Sequence, residues 1–510
     1  MMTEPLDNSG ARRRLVSGGA WFLGLMGLSG VFWLLLGIQI SNAYGPDGFG
    51  LFNIAQSVFD FSWAFIFGGL FEGIIHFGCG YLTKKDSCLS SYFSNYVRYL
   101  TIISLVIFGF LIALSTQASD IIMQVMLVAI AFAFLFSGTK DALASIIGSM
   151  HRNKQLSIIN SSGFYVVTLL GLIFIMLNLP FHLLPFLIIF APVCQLLLCM
   201  YFLRSHLKDL FVSSVNFFKT RNLKQALIED FKQFKHVLFF GFSISIGKIS
   251  FMVMKSLDIP VLILFFNYAN VGVYSVADTV SSVLFSMTAF SLPILSSISE
   301  AWTKKDDVLV EDYAKISVKY TLIIGIPLTV AIFTLAEPIV TVIYGAEFQG
   351  AVMPLQILIF GTFLLMFGHT LSSILIGIGK PKISGMILAG AAVQYLISLF
   401  ILVPMLGFNG AAISLTLTGV TTLCLIPILI KRNLKTDIFS GFHKAIFSGA
   451  ILAVLLYLIR ELNILLLILG MVASGAVYVL LLWYTGYLTK EDIDLLKAAR
   501  AKPSITSDKT

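Results

Sequence analysis

The sequence predicts an all-α polytopic membrane protein of about fourteen transmembrane helices. They form two six-helix bundles related by a parallel pseudo-repeat, with two further helices at the C-terminus. Three observations predict this. First, 58% of the 510 residues are hydrophobic and only 12% are charged, with a mean hydropathy of +0.93. Soluble chains run to about 45–50% apolar and about 25% charged, so there is too little polar surface here to cover soluble domains. Second, the apolar runs are continuous and long enough for spanning helices, which need about 20 residues. Barrel strands would instead alternate over about 10 residues. Third, the basic residues fall on one side of the membrane when the runs are counted off.

Taken in order, Arg12, Arg13 and Arg14 precede an apolar run from Leu15 to Ile40. That run exceeds the roughly 7–15 residues of a signal core and lacks a small-residue cleavage site. It reads as a first transmembrane helix. The remaining runs lie near 51–78, 92–115, 121–149, 156–178, 183–204, 236–266, 272–298, 314–336, 354–378, 383–404, 408–430, 442–460 and 463–484. With the N-terminus inside, 31 of the 34 Lys and Arg residues fall on the inner side. Arg460 is the exception, and Lys248 and Lys255 lie within a span. The expectation is a multi-pass protein of the plasma membrane with both termini cytoplasmic. The net charge of +8 is then orientation rather than a nucleic-acid surface. Cys194, Cys199 and Cys424 sit in apolar runs, Cys79 and Cys88 flank a basic loop, and no metal or disulfide spacing occurs.

Residues 205–235 form the longest polar stretch between spans. Leu223, Leu227, Phe231, Phe234 and Leu238 recur there at helical spacing with basic residues between them, predicting an amphipathic helix at the inner surface. The chain thus divides into a first bundle at 1–204, this linker, a second bundle at 236–430, and two extra helices with a tail at 431–510. The two sides repeat. Gly50-Leu51-Phe52-Asn53-Ile54-Ala55 follows the first span, and Gly272-Val273-Tyr274-Ser275-Val276-Ala277 follows the seventh, at an offset of 222 residues. Six spans separate the copies, an even number, so both have the same orientation.

At this point the residues carry a resemblance. The stretches are Tyr44-Gly45-Pro46-Asp47-Gly48-Phe49-Gly50, Asp258 with Val271 to Ala277, Pro293, Glu337-Pro338 with Tyr344-Gly345-Ala346-Glu347-Phe348, Gly377 to Pro381, Pro404 to Ala412, and Leu488-Thr489-Lys490-Glu491-Asp492. In order and spacing the chain resembles the Wzx-like flippases of polysaccharides and lipid-linked oligosaccharides, within the multidrug/oligosaccharidyl-lipid/polysaccharide superfamily. The resemblance implies a central cavity between two bundles and alternating access. It implies transfer of polyprenyl-pyrophosphate-linked sugars between leaflets, with glycan polymerase or glycosyltransferases as partners. One position departs: Gly69, Leu70 and Gly73 fit a pattern that ends in Arg in many relatives, but His76 stands there, a group that titrates near neutrality.

Ionisable groups inside spans are costly and point to function. Lys248, Lys255 and Asp258, at i, i+7 and i+10, share one helical face. Two readings stand: a cationic face for a lipid pyrophosphate, or a Lys255–Asp258 pair that neutralises itself. His76 joins Lys248 and Lys255 as a substrate-binding candidate. Asp258, Glu72 and Asp60 are candidates for ion or proton coupling, with Glu72 and His76 four residues apart. Asp60 and Asp278 read rather as snorkelling or capping groups near outer helix ends, His369 as a hydrogen-bonded core histidine, and Lys140-Asp141 as an interfacial pair. Enzymatic chemistry finds little support. The outer loop at Ala336–Met353 holds Glu337 and Glu347 but no His or Lys, and no phosphate loop or metal motif occurs, so no cofactor is expected. The expectation is a flippase. The alternatives are a cation-coupled multidrug exporter and, in a different class, a membrane enzyme acting on polyprenyl-linked sugar.

Overall fold

The computed structural model describes residues 8–83, 89–118, 120–150, 152–204, 246–247, 249–285, 291–434, 438–490 and 492, and the linker expected at 205–235 lies outside them. The described residues are helical throughout, without strands. Ten described helices are long and apolar enough to cross a membrane.

The first helix, α1 (Asn8–Thr83), is two arms meeting at Gly45, whose φ of 64° and ψ of −166° break the helical path. Only glycine takes that conformation without strain. Pro46 then opens the second arm, where its missing N–H is harmless. α2 (Leu89–Ser115) and α3 (Ile121–Ser149) follow, and Asp120 caps α3 by accepting from the Ile122 N–H at 3.1 Å. α4 (Asn153–Met176), a 3₁₀ turn (Phe181–Phe186) and α5 (Leu187–Phe202) complete the first half.

The second half resumes with a helical stretch over 249–256 and the short α6 (Asp258–Leu262). α7 (Tyr268–Phe285), α8 (Ser291–Thr303) and α9 (Asp307–Thr334) come next. A π turn (Ile339–Tyr344) and a 3₁₀ turn (Ala346–Ala351) lead into α10 (Val352–Gly377). α11 (Pro381–Leu406) and α12 (Phe408–Asn433) are joined at Gly407, which has a φ of 61°. α13 (Phe442–Ile459) and α14 (Ile464–Tyr484) form the final antiparallel pair, with α13 against α9. Much of α14, including Leu465, Val472 and Leu480, is exposed, as a lipid-facing surface would be.

The apolar core is divided. One part is shared by both halves, and in it Leu36, Ile40, Phe49 and Phe52 of α1 meet Tyr274, Tyr344, Phe348 and Tyr395. Two further parts are not shared. One is built from Phe67, Tyr96, Phe134 and Ile147 of the first half. The other is built from Ile298, Val310, Leu371 and Ile430 of the second. The halves therefore share one core around the crossing segments, and each also has a core of its own.

The chain after α14 is fastened to α9. Asp492, 5% exposed, accepts from Lys319 Nζ at 2.5 Å, from the Tyr320 hydroxyl at 3.2 Å, and from the Thr489 N–H and hydroxyl at 2.7 and 2.8 Å. Lys319 also lies over the Tyr487 ring at 5.8 Å. Burial opposes ionisation of Asp492, but the bonds from Lys319 and Thr489 outweigh it and hold the carboxyl below its ordinary value. The fastened form is the ionised one. Its contribution is complete above the ordinary carboxylate range, about pH 4, and is lost as pH falls through the lowered value. Asp492→Asn should therefore increase the rate of tryptic cleavage after Lys490 several-fold at pH 7. An unchanged rate would show that the four bonds do not hold the segment.

Candidate functional site

Beside the shared core, two repeat-related glycines touch. A Cβ on Gly50 of α1 would lie 2.0 Å from the Tyr268 carbonyl oxygen and 2.9 Å from the Gly272 nitrogen of α7. A Cβ on Gly272 would lie 1.9 Å from the Pro46 carbonyl oxygen and 3.0 Å from the Gly50 nitrogen. The contact is reciprocal, as a two-fold relation between the halves requires. A side chain at either position would overlap backbone, which no rotamer change relieves. Around the crossing, Phe49 packs against Tyr344 and Phe348, with ring centroids at 6.3 and 6.4 Å. Asn42 donates to the Ile343 carbonyl at 3.1 Å. The π and 3₁₀ turns of the second half thus clasp the α1 break of the first.

Below the crossing the two helices carry charge. Asp278 lies six residues beyond Gly272 and Asp60 ten beyond Gly50, about 9 and 15 Å along their helices at 1.5 Å per residue. Lys255 Nζ contacts Asp278 Oδ1 at 2.6 Å, both side chains being about one-fifth exposed. Its charge also reaches Asp258 and Asp60. Asp258, 4% exposed, stands where the helical path is interrupted at Leu257. It accepts from the Ile259 N–H at 2.9 Å and from the Tyr274 hydroxyl at 2.7 Å. Asp60 accepts from Gln56 Nε2 at 3.0 Å. Tyr395 of α11, fully buried, stands in the field of Asp258 and Asp278, and its hydroxyl makes no hydrogen bond.

The structure thus brings together Asp60, Lys255 and Asp258 from the sequence-level candidates. Lys248 and the side chains of Glu72 and His76 lie outside the described residues. The Lys255–Asp258 pairing considered above is replaced by Lys255–Asp278, because Asp258 spends its acceptors on Tyr274 and its own helix start. Asp278 is no cap but the direct partner of a lysine. Tyr274 and Tyr395 were missed. Tyr274 and Asp278 are four apart and share a face, and the 222-residue offset sets Asp278 opposite Gln56, which itself holds Asp60. Those patterns were available. Tyr395, more than a hundred residues further on, carried no local signal.

One other expectation changes. His369 has no partner at Nδ1; its ring lies on Phe251 instead, centroids 4.5 Å apart. Lys140 and Asp141 do pair, at 2.6 Å, with Asp141 4% exposed and accepting from Trp63 Nε1 at 2.6 Å. Among the described residues no three His, Cys, Asp or Glu side chains converge on a metal position.

Gly50→Ala and Gly272→Ala should each destabilise the protein by about 1–3 kcal/mol, the usual cost of overpacking. Gly390→Ala, where a Cβ meets nothing within 4 Å, should not. Thermal unfolding in detergent measures both; equal midpoints for all three variants would contradict the crossing.

Comparison with known proteins agrees with this architecture. Residues 243–401 match the family model described as MatE. Over 197 residues the chain is 30% identical to an uncharacterized membrane protein of Methanocaldococcus jannaschii, a match spanning 38% of this chain and 38% of that protein. Among solved structures it is similar to the lipid II flippase MurJ in an inward closed conformation. That likeness has a TM-score of 0.70 and 16% identity, over 92% of this chain and 99% of that one. It is also similar to an outward-facing multidrug resistance MATE family transporter of the MOP superfamily. There the TM-score is 0.54 and the identity 16%, over 84% of this chain and 97% of that one. The chain is a multi-pass membrane protein with the fold of the MOP-superfamily transporters, and it carries the MatE pattern in its second half.

Proposed function

We propose that this chain is a flippase that moves a polyprenyl-pyrophosphate-linked saccharide from the inner to the outer leaflet by alternating access. The observation that carries the reading is Lys255. It is a lysine within the membrane-spanning region, placed beside the interface of the two halves and held by an exchangeable carboxylate. A lysine near the bilayer centre costs about 2.5–3.5 kcal/mol on insertion scales. Partial exposure and a pyrophosphate, which it meets as a compact point charge, give that cost a use. Asp278 holds the lysine while the site is empty. Asp60 and Asp258 sit close enough to accept a proton or cation as the charge balance changes. The fuller likeness to the lipid II flippase MurJ supports the same reading. Both termini lie in the cytoplasm in this reading, and the glycine crossing seals the outer end.

The excess of carboxylates among the described residues favours a second reading, a cation-coupled exporter of organic cations, in which Asp60, Asp258 and Asp278 bind the cargo. Glycan analysis separates the two. In a deletion strain, loss of a flippase leaves the lipid-linked saccharide accumulated on the inner leaflet, and the wild-type gene restores surface glycan. Lys255→Arg should retain part of that function and Lys255→Gln little. If Lys255→Gln with Asp278→Asn transports fully, the pair is structural and the anion-binding role falls. If deletion leaves the glycan unchanged but raises sensitivity to cationic drugs, the exporter reading replaces it.

A further inference from the structure

Lys255 sits between acids that belong to different halves of the molecule. Asp278 lies on α7, in its own half, and bonds it directly at 2.6 Å. Asp60 lies on the second arm of α1, in the other half, two residues from Val58, which packs against the core that holds Met254, the neighbour of Lys255. The two helices that carry these acids cross at Gly50 and Gly272. Besides the core they share, each half has one of its own. Any motion that opens the glycine end must bring the opposite ends together, because the helices are stiff over these lengths. Asp60, about 15 Å along its helix from the crossing, then moves toward the second half, and among the described residues Lys255 is the cation in its path.

We propose that Lys255 is a two-position counter-ion: it pairs with Asp278 when the glycine end is closed, and with Asp60 across the bundle interface when the opposite end is closed. Gln56, at the repeat position of Asp278, holds the Asp60 carboxylate in readiness through its 3.0 Å bond. The exchange keeps the lysine neutralised in both states, so neither state strands a buried charge, which would cost several kcal/mol. Asp60 and Asp278 thereby act as positioning residues that set the balance between the two states. The inference rests on the alternating-access reading above but not on its substrate.

Distance measurement by pulsed electron resonance tests it on the full chain, in lipid nanodiscs and without substrate. With the native cysteines replaced, spin labels go on Arg204→Cys, at the end of α5, and Thr303→Cys, at the end of α8. Both positions are exposed and at the end away from the glycine crossing. Asp278→Asn removes the competing partner and should raise the short-distance population at least threefold. Asp60→Asn should lower it by a similar factor. The double variant should lose the gain of Asp278→Asn. Equal populations in all variants, or shifts of the same sign for both single variants, would overturn the exchange. Only monodisperse protein enters the comparison, and Lys140→Gln, in the separate pair of the first half, serves as a variant that leaves the balance unmoved. Because no cargo is present, failure here leaves the substrate reading intact. Conversely, correct populations in a protein that flips no lipid-linked saccharide would sink that reading alone.

Discussion

The backbone contact between Gly50 and Gly272 is the constraint on which the rest of the molecule depends. Two segments at equivalent places in the two repeats approach until carbonyl and amide groups nearly touch, and each glycine is required because the other is there. Around that contact lies the core that both halves share, beside the core that each has of its own. The aromatic clasp of Phe49, Tyr344 and Phe348 reinforces it. A bulkier crossing would hold the helices apart and leave the clasp unfilled.

The charged cluster below it is poor stabilising material. A buried ion pair repays its desolvation only with good geometry and further hydrogen bonds, and an apolar replacement is often at least as stable. Here the geometry is good for Lys255–Asp278 and for Asp258 with Tyr274, yet the cluster still contains more carboxylate than ammonium among the described residues. The Lys140–Asp141 pair makes a useful contrast. Its described partners, Lys140, Asp141 and the Trp63 indole, all belong to the first half.

Much of the fold was legible in the sequence because lipid imposes simple rules. Long apolar runs become helices, and Gly45-Pro46 breaks the first of them as its residue types demand. The repeat was read from Gly–aromatic–Ala spacing, and its two glycines are the pair that meet. The site was legible only in part. Lys255, Asp258 and Asp60 stood out as charges in apolar runs, a signal that needs no partner to be seen. Their pairing did not stand out. Neighbours in sequence suggested Lys255–Asp258, whereas the interruption at Leu257 turns Asp258 toward Tyr274 and lets Lys255 reach α7. Tyr395 comes from a distant helix and looks like any core aromatic until packing sets it beside two carboxylates. Asp492 was noticed as part of a motif, but its four bonds depend on where α9 ends up in space.

The central claim is that the clasped end must open for cargo to cross. The most direct measurement joins that end covalently and watches transport. Asn42 and Ile343 touch across it, and both are accessible to reagent. Cysteines at these two positions in an otherwise cysteine-free chain, reconstituted with a polyprenyl-pyrophosphate-linked saccharide, are linked by a short, reducible bifunctional reagent. Leaflet exchange of the saccharide should stop when the link forms and return when it is reduced. Exchange that continues at the unlinked rate with the end fastened would contradict the account.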